Sequence, residues 1–465
     1  MKFLAILKDS LREALDTKVF YVMVGISLLT ILFIGHIAYR PVSVEEEVRD
    51  NFFRLNWLLQ RSFNKAKQGA EKGKQADKGK QAEALANALP PAFDVEDFEQ
   101  TNPGAVQPWQ TGYRFYLTLR FEDEQKVKAA RLFEKLPLVG KKTSTGFERQ
   151  IQTLCPYLKN VKVAAAEPKA PTEMRYLVTA DSTSRYQDWP HYPVVFFAVP
   201  VRVLHFPINA YVQFWESWII NWIGAAVALL LSTIITAFFI PNMLRKGTVD
   251  LLLVKPISRP ALLLNKYIGG LLFIFLNTVV VVAGIWLVLG LRTNLWGIGF
   301  LLSIPVLTFQ FAVYYAVSTL FAVLSRSPIV AILMTCLCWF VFAIIVGQLY
   351  SWIDKTRNLR VIMEAQVEAG FGEMPTDEQM PEKPFPNWVY TTSDIVHLVT
   401  PHLKDLDTLT DKWILDDVLP PDSRDRKLAD KLYENFQWSE TIAVTSLYIV
   451  GLLGCSCWWF ARRDY

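Results

Sequence analysis

The stretch from Tyr267 to Leu291 reads YIGGLLFIFLNTVVVVAGIWLVLGL and contains no acidic or basic residue. As a helix, which rises about 1.5 Å per residue, it is long enough to cross a hydrocarbon layer of about 30 Å. The stretch therefore predicts a membrane-spanning helix, and the rest of the chain can be interpreted outward from it.

Five other apolar runs of comparable length occur in the 465 residues, and none contains Asp, Glu, Lys or Arg. They are Val19–Tyr39, Ser217–Ile240, Ile298–Leu324, Ile329–Trp352 and Thr441–Phe460. Hydrophobic residues make up 52% of the sequence, and their segregation into runs is typical of a polytopic membrane protein. The fold class predicted is α-helical with six transmembrane helices: span 1 at 19–39, spans 2–5 within 217–352, and span 6 at 441–460.

Residues 1–18, before the first run, form an amphipathic pattern. Leu4, Leu7, Leu11 and Leu15 recur at helical spacing, with charged residues on the other faces. The pattern predicts a helix lying in the membrane interface, and an ordinary cytosolic helix is the alternative. Acidic residues in this leader, and the length of the run after it, argue against a cleaved signal peptide.

Two polar insertions separate the spans. Residues 40–213 contain a strand-like alternation at Arg114–Phe121 and a helical pattern at Glu122–Leu136, so we expect an α+β extracytoplasmic domain. Residues 353–440 contain 18 acidic and 10 basic residues, which predicts a smaller extracytoplasmic loop that lies in water.

Short loops indicate the orientation, because Lys and Arg accumulate in cytoplasmic loops. The loop between spans 2 and 3 has one acid, Asp250, against Arg245, Lys246, Lys255, Arg259 and Lys266. Arg326 lies between spans 4 and 5, and Arg462 and Arg463 lie at the C-terminal end, where 461–465 form the tail. The prediction is a protein of the inner or plasma membrane with both termini in the cytoplasm and both insertions outside. Among the basic residues of the short loops, only Arg292 then lies on the outer side.

The loop at 241–266 has the pattern of a compact element. Gly247-Thr248 can turn the chain and cap a helix, Lys255-Pro256 interrupts the apolar stretch that follows, and Ser258 can cap the next helix. A short helix held beneath the membrane by two spans suits docking in a groove on a soluble partner.

This loop resembles that of ABC-2 type transporter permeases. The residues that match are Gly247-Thr248, Leu251-Leu252, Lys255-Pro256-Ile257-Ser258-Arg259 and Lys266. The six-span layout, the leader and the Arg462-Arg463-Asp464 tail extend the resemblance over the membrane parts, and neither insertion is covered. Where the family often has an acidic residue shortly before the Gly-Thr pair, this sequence has Pro241 and Asn242.

The resemblance implies the permease subunit of an ATP-binding-cassette transporter. A separate cytosolic ATPase would bind the ATP and drive export or force transmission, and a second permease copy or a sibling permease would complete a dimer. The implied ATPase-coupling residues are Arg245, Lys246, Gly247, Thr248, Leu251, Leu252, Lys255, Pro256, Ser258, Arg259 and Lys266. A non-transporting membrane scaffold whose outer domains bind an envelope partner remains the alternative.

No enzyme signature or phosphate-binding loop of the Gly-x-x-x-x-Gly-Lys-Ser/Thr type occurs, so we expect no catalysis, cofactor or nucleic acid in this chain. The lack of charged residues in the runs also disfavours an ion-coupled carrier. Residues two apart on a helix point about 200° from each other, which disfavours chelation by the Cys336/Cys338 and Cys455/Cys457 pairs. A five-residue spacing on one helix is equally poor for His397 and His402, so no metal site is assigned.

Polar residues within the runs are interpreted as contacts between helices rather than as substrate ligands. They are Asn221, Asn277, Gln310 and Gln348. Apolar spans have no hydrophobic drive to associate in lipid, so we expect close packing at residues such as Gly224, Asn277 and Gln310 to support the dimer.

Overall fold

A computed structural model describes residues 18–53, 92–102, 107–121, 123–125, 127, 148, 151–152, 154–155, 157–182, 185–202, 205–219, 240–241, 258–357, 359, 362–364, 385–419, 424–433 and 438–462. The chain forms two compact units. One is an inserted domain, Ala38–Ile208, and the other is a helical unit made of Met1–Ile37 and Asn209–Tyr465.

Nine helices of the described part of the chain are labelled in chain order. They are α1 (Lys18–Gly35), α2 (Ile208–Trp218), α3 (Arg259–Thr293), α4 (Ser303–Ser325), α5 (Pro328–Arg357), α6 (Asn387–Val399), α7 (Leu403–Val418), α8 (Arg424–Tyr433) and α9 (Trp438–Arg462). A 3₁₀ turn, Gly299–Leu302, leads into α4, and a π-helical stretch, Phe340–Val346, lies within α5.

Four of these helices are long and apolar enough to cross a membrane: α3, α4 with its 3₁₀ turn, α5 and α9. They coincide with the apolar runs that begin at Tyr267, Ile298, Ile329 and Thr441, which confirms those four as span candidates. Most of the run at 217–240, and the leader helix expected at 1–18, lie outside the described part of the chain.

The first apolar helix is shorter than its run. The sequence predicts a span to Tyr39, but α1 ends at Gly35 and strand β1 begins at Ala38. The guanidinium of Arg292, at the end of α3, donates hydrogen bonds to the Gly35 carbonyl, whose place at the helix terminus leaves it without an intrahelical partner. The last turn of α1 is therefore fixed by a contact with α3.

Close packing joins α3 to α1 and α4. The rings of Tyr267 and Tyr315 stack with centroids 4.9 Å apart, and the Tyr267 hydroxyl donates to the Ala312 carbonyl at 2.7 Å. On the other side of α3, Ser27 Oγ donates to Asn277 Oδ1 at 3.2 Å. The interpretation of Asn277 as a contact between helices is therefore confirmed.

Helices α6 and α7 are joined by a short turn, residues 400–402, that lies inside the helical unit, and we call the two helices with this turn the hairpin. Leu403 and Leu406 are buried in the same apolar cluster as Phe311 of α4. The Gln310 amide donates to the Leu403 carbonyl at 3.3 Å, so Gln310 also joins two helices. Since Gln310 follows Gly299 by eleven residues, the hairpin reaches roughly 16 Å along α4 from the end of that span.

Leu403 and Leu406, buried against α4, are an exception to the expectation that residues 353–440 lie in water. That expectation rested on the charge of the whole segment, whereas α7 has its own apolar face. Its buried apolar residues recur at helical spacing: Leu403, Leu406, Leu409, Ile414 and Val418. Helix α6 exposes a second apolar face, made of Trp388, Ile395, Leu398 and Val399.

The described residues of the inserted domain form two antiparallel sheets. One has the strand order β2 (Ala92–Gln100), β3 (Gly112–Arg120), β5 (Glu173–Ser182), β4 (Leu158–Ala166). The other is formed by β1 (Ala38–Pro41), β6 (Pro190–Val195), β7 (Val199–Pro200) and β8 (Phe206–Pro207).

A short helix at residues 44–53 packs Val48 and Phe52 into a core with Phe115 and Trp189. The strand expected at Arg114–Phe121 agrees with β3, Gly112–Arg120. Most of the helical pattern at Glu122–Leu136 lies outside the described residues.

Candidate functional site

The implied ATPase-coupling residues are only partly visible. Ser258, Arg259 and Lys266 are described, and the others lie outside the described residues: Arg245, Lys246, Gly247, Thr248, Leu251, Leu252, Lys255 and Pro256. The candidate site is therefore built from the two ends of the loop and from the helix termini around them.

Ser258 is the residue at which the loop becomes helix α3. Its backbone is extended, with φ −66° and ψ 144°, and Pro260 lies in the first turn of the helix. The Ser258 carbonyl accepts the Leu262 amide at 3.0 Å, so the first intrahelical bond forms here. Ser258 therefore lies at the N-cap position of α3, but its side chain makes no capping hydrogen bond.

Both ends of the loop meet in one apolar cluster. Ile240, before the loop, and Leu262 and Leu263, after it, are buried together with residues from three other helix ends. Those residues come from the end of α4, the start of α5 and the end of α9: Ala322, Val323, Ala331 and Phe460. The loop therefore leaves and re-enters the helical unit at the end where these three helices also terminate.

This end of the helical unit is basic. Arg259, Lys266, Arg326 and Arg462 lie there, and the Arg462 guanidinium stacks 4.3 Å from the centroid of the Trp458 ring. Among the described residues of this end (240–241, 258–270, 318–332 and 455–462), none is Asp or Glu. We call this surface the basic end.

The opposite end of the spans has acidic groups. The Asp417 carboxylate of α7 accepts the backbone N–H of Gly299, where the 3₁₀ turn before α4 begins. Asp405 and Asp407 lie on the same helix, and Glu440 lies in the first turn of α9. The spans are therefore electrostatically polarised along their length.

Cys155 is the cysteine that lies outside the apolar runs, and it shows no sign of reactivity. It is buried in the core of the inserted domain, and burial raises the pKa of its thiol to about 11. A nucleophilic cysteine needs a lowered pKa, so the Cys155 thiol stays protonated and packs as a small apolar group.

One group of side chains that could bind a metal ion was not predicted from the sequence. His397, His402 and Asp405 each direct a potential metal-binding atom into one small volume, with these atoms within 4.8 Å of one another. The spacing argument against the two histidines assumed a single helix, but α6 ends at Val399 and His402 precedes α7. Thr400-Pro401 was the available signal, because a residue before proline disfavours helix.

Comparison with known proteins agrees with the family resemblance predicted from the 241–266 loop and the apolar runs. A family model described as "ABC-2 family transporter protein" matches residues 4–465, which is nearly the whole chain. No curated protein is significantly similar to it. The match extends over both insertions, which the resemblance of the loop alone did not cover. The chain is therefore a multi-pass membrane protein that belongs to the ABC-2 family of transporter proteins.

Proposed function

We propose that this chain is the permease subunit of an ABC exporter, driven through its basic end by a separate cytosolic ATPase. The observation that carries the proposal is the convergence of both ends of the 241–266 loop with Arg259, Arg326 and Arg462 on one surface. Lys and Arg accumulate on cytoplasmic surfaces, which supports placing this end, and both chain termini, in the cytoplasm of a cell membrane.

The structure supports a direct route for force from the loop. Helix α3 begins immediately after Ser258 and runs unbroken to Thr293, so displacement of the loop moves a rigid rod. That rod holds α1 at two levels, through Asn277 in its middle and Arg292 at its far end. Because α1 leads into β1 after two residues, force applied at the loop can also reach the inserted domain through the chain itself.

We further propose six spans and assembly as a dimer, either with a second copy or with a sibling permease. Helix α4 is enclosed by its neighbours, with 67% of its most apolar window buried, whereas the corresponding value for α5 is 11%. The faces of α5 therefore remain for lipid or a second permease. Two of the three residues predicted to support dimer packing do not fit that role, because Asn277 and Gln310 are buried in contacts within this chain. The third, Gly224, lies outside the described residues.

The proposal is tested by reversing charge at the basic end. Lys255→Glu combined with Arg259→Glu should abolish co-purification of the ATPase and leave membrane insertion intact. The reason is that the basic end is proposed to dock on an acidic surface of the ATPase, which the two new carboxylates would repel. A matched control reverses two exposed charges outside the basic end, Lys355→Glu with Lys427→Glu, and should retain the ATPase. Undiminished ATPase binding by the first variant would place the dock elsewhere.

The scaffold alternative is supported by a separate observation. The inserted domain has its own core, centred on buried Phe115, Leu117 and Trp189, so it can present a stable binding surface. A scaffold needs no ATPase and no second permease. Cross-linking in native membranes therefore decides between the two, and a single copy without a second permease would favour the scaffold.

A further inference from the structure

Three side chains with metal-binding atoms meet where the α6–α7 hairpin turns inside the helical unit. His397 lies in the last turn of α6, His402 is the residue before α7, and Asp405 lies in the first turn of α7. His402 and Asp405 are three residues apart at the start of α7, whereas His397 belongs to α6. The turn thus brings together ligands from both arms of the hairpin.

The two distances from Asp405 to the histidines agree with those expected around a small tetrahedral ion, and all three binding atoms lie within 4.8 Å of one another. Asp405 Oδ2 lies 3.1 Å from His397 Nε2 and 3.6 Å from His402 Nδ1. Zinc binds nitrogen and oxygen ligands at about 2.0–2.1 Å, so neighbouring ligands of a tetrahedral ion are separated by about 3.3 Å. Both measured distances lie within about 0.3 Å of that separation.

The hydrogen bond of His402 fixes which of its nitrogens can bind. His402 Nε2 lies 2.9 Å from the His397 carbonyl, which can only accept, so Nε2 carries the proton. In the tautomer protonated at Nε2, the lone pair is on Nδ1, which lies 3.6 Å from Asp405 Oδ2. Two acceptors face each other there, an arrangement that a cation between them makes favourable. Metal-binding histidines commonly donate their other N–H to a carbonyl in this way.

The surroundings of the turn fix its position and favour positive charge. The His402 backbone N–H donates to Thr445 Oγ1 of α9 at 3.3 Å, and the His397 ring stacks on Tyr350 of α5 with centroids 3.7 Å apart. Glu440 acts electrostatically on the His402 ring, and Asp354 and Asp394 act on the neighbouring Tyr350. Two nearby bases are each paired with an acid that is not a proposed ligand, Arg357 with Asp394 at 2.8 Å and Lys404 with Asp407 at 3.5 Å.

We propose that His397 Nε2, His402 Nδ1 and Asp405 Oδ2 bind a divalent transition-metal cation of the Zn²⁺ class. Two imidazoles and one carboxylate suit Zn²⁺ better than Mg²⁺ or Ca²⁺, which prefer oxygen ligands alone. The side chains of His397 and Asp405 are 18% and 20% exposed, which leaves a route for the ion and a fourth position for water. The site does not depend on the proposed coupling to an ATPase.

Binding changes the arrangement of the rings. The His397 and His402 rings stack with centroids 3.8 Å apart and 21° between their planes. An imidazole binds a metal in its own plane, so an ion shared by both rings opens this stack. The ion then joins α6 to α7 at the turn, and it holds the hairpin between α5 and α9.

The test is zinc binding to the detergent-solubilised full chain, purified through an affinity tag that contains no histidine. Calorimetry and elemental analysis should give about one saturable Zn²⁺ per chain. His397→Gln and Asp405→Asn each remove one ligand and nearly keep its size, and each should weaken binding at least tenfold. Asp394→Asn, which removes an acid from α6 without removing a ligand, should stay within about threefold of the natural chain.

Two further measurements keep the outcome interpretable. The thermal stability of the metal-free variants should match that of the metal-free natural chain, and Zn²⁺ should raise only the stability of chains that bind it. Co²⁺ should bind in place of Zn²⁺ without a thiolate-to-metal absorption band. Absence of saturable binding, equal affinity in all variants, or a thiolate band that places the ion on cysteine would each overturn the proposal.

Discussion

Arg292 donates two hydrogen bonds to the carbonyl of Gly35, from Nε at 3.1 Å and from Nη2 at 2.9 Å. Charge alone makes Arg292 an exception, since it would be the one basic residue of the short loops on the outer side of the membrane. Its contacts give it a structural role instead, because it caps the C-terminal end of α1, where a cation also complements the helix dipole.

Arg292→Met should therefore lower the stability of the helical unit by about 1–2 kcal/mol, because it removes a charged donor from a helix terminus. Arg292→Lys should recover part of this loss, since a single ammonium keeps the charge but not both hydrogen bonds. Thermal unfolding in detergent measures the effect. Equal stability of the Met variant and the natural chain would show that the contact contributes nothing.

Gly270 permits the closest approach of α3 and α4. A Cβ placed there would lie 2.5 Å from the Tyr315 hydroxyl oxygen, and the Tyr315 ring cannot retreat because it is fully buried between Tyr267 and Phe311. Gly270→Ala should cost about 1–3 kcal/mol of stability through overpacking. Gly454→Ala is the matched control, because nothing lies within 4 Å of its Cβ position. It should be neutral or slightly stabilising.

The Gln310 amide donates to Asp407 Oδ1 at 2.7 Å, and this contact holds the hairpin to α4. Gln310→Leu should cost about 1–3 kcal/mol, because it removes a partner of a buried carboxylate. Gln310→Leu with Asp407→Leu should cost less than the sum of the single changes, since no buried charge is then left short of a partner. Additive losses, measured by chemical unfolding, would contradict a direct coupling.

The inserted domain should lose stability in acid through His191. Burial lowers the pKa of this ring to about 4, against an ordinary value of 6.5, so the folded domain binds the proton less readily than the unfolded chain does. The stability contributed by the neutral ring is complete above about pH 6.5 and falls as the pH drops from there towards 4. The loss should be on the order of 3 kcal/mol.

His191→Asn is the matched variant for this pH dependence. Its amide can replace the hydrogen bond that His191 Nδ1 makes with the Trp189 carbonyl at 2.7 Å, and it does not titrate. Its stability should vary less between pH 6.5 and 4 than that of the natural chain, as followed by hydrogen exchange in β6. An unchanged slope would assign the acid sensitivity to other groups.

The orientation can be tested by labelling single cysteines in a chain without its natural ones. A cysteine at Lys427, exposed on α8, should react with an impermeant thiol reagent in intact cells, and one at Ser325, at the basic end, should not. Reaction at Ser325 from outside would reverse the topology. A cysteine at Asp407 should react slowly in either case, because that position is buried.

The parts of the fold that the sequence predicts are those fixed by a single local property. An uncharged run such as Tyr267–Leu291 has few alternatives to a membrane span. The end of α1 at Gly35 could not be predicted in the same way, because the residues that follow, His36 to Tyr39, are nearly as apolar. The pairing of Ala38 with Val194, far along the chain, decides that they form a strand.

For the candidate sites too, local features could be predicted from the sequence and features that depend on distant residues could not. The N-cap position at Ser258 is a local feature, and it was predicted at the correct residue. The meeting of His397 with Asp405 depends on where α6 stops, and the position of the hairpin depends on which face of α7 is apolar. A charge count over all of residues 353–440 shows neither the end of α6 nor the apolar face of α7.

The hairpin also separates two roles that a transporter must combine. The apolar runs carry no ionisable side chain of the Asp, Glu, Lys or Arg type, so the spans provide a uniform frame, whereas the acids and imidazoles at the hairpin turn come from the connection between α5 and α9. The ionisable groups at the turn therefore lie on a segment separate from the apolar runs. Exchanging residues 387–418 between relatives can give the frame a new internal chemistry without rebuilding any helix that crosses the bilayer.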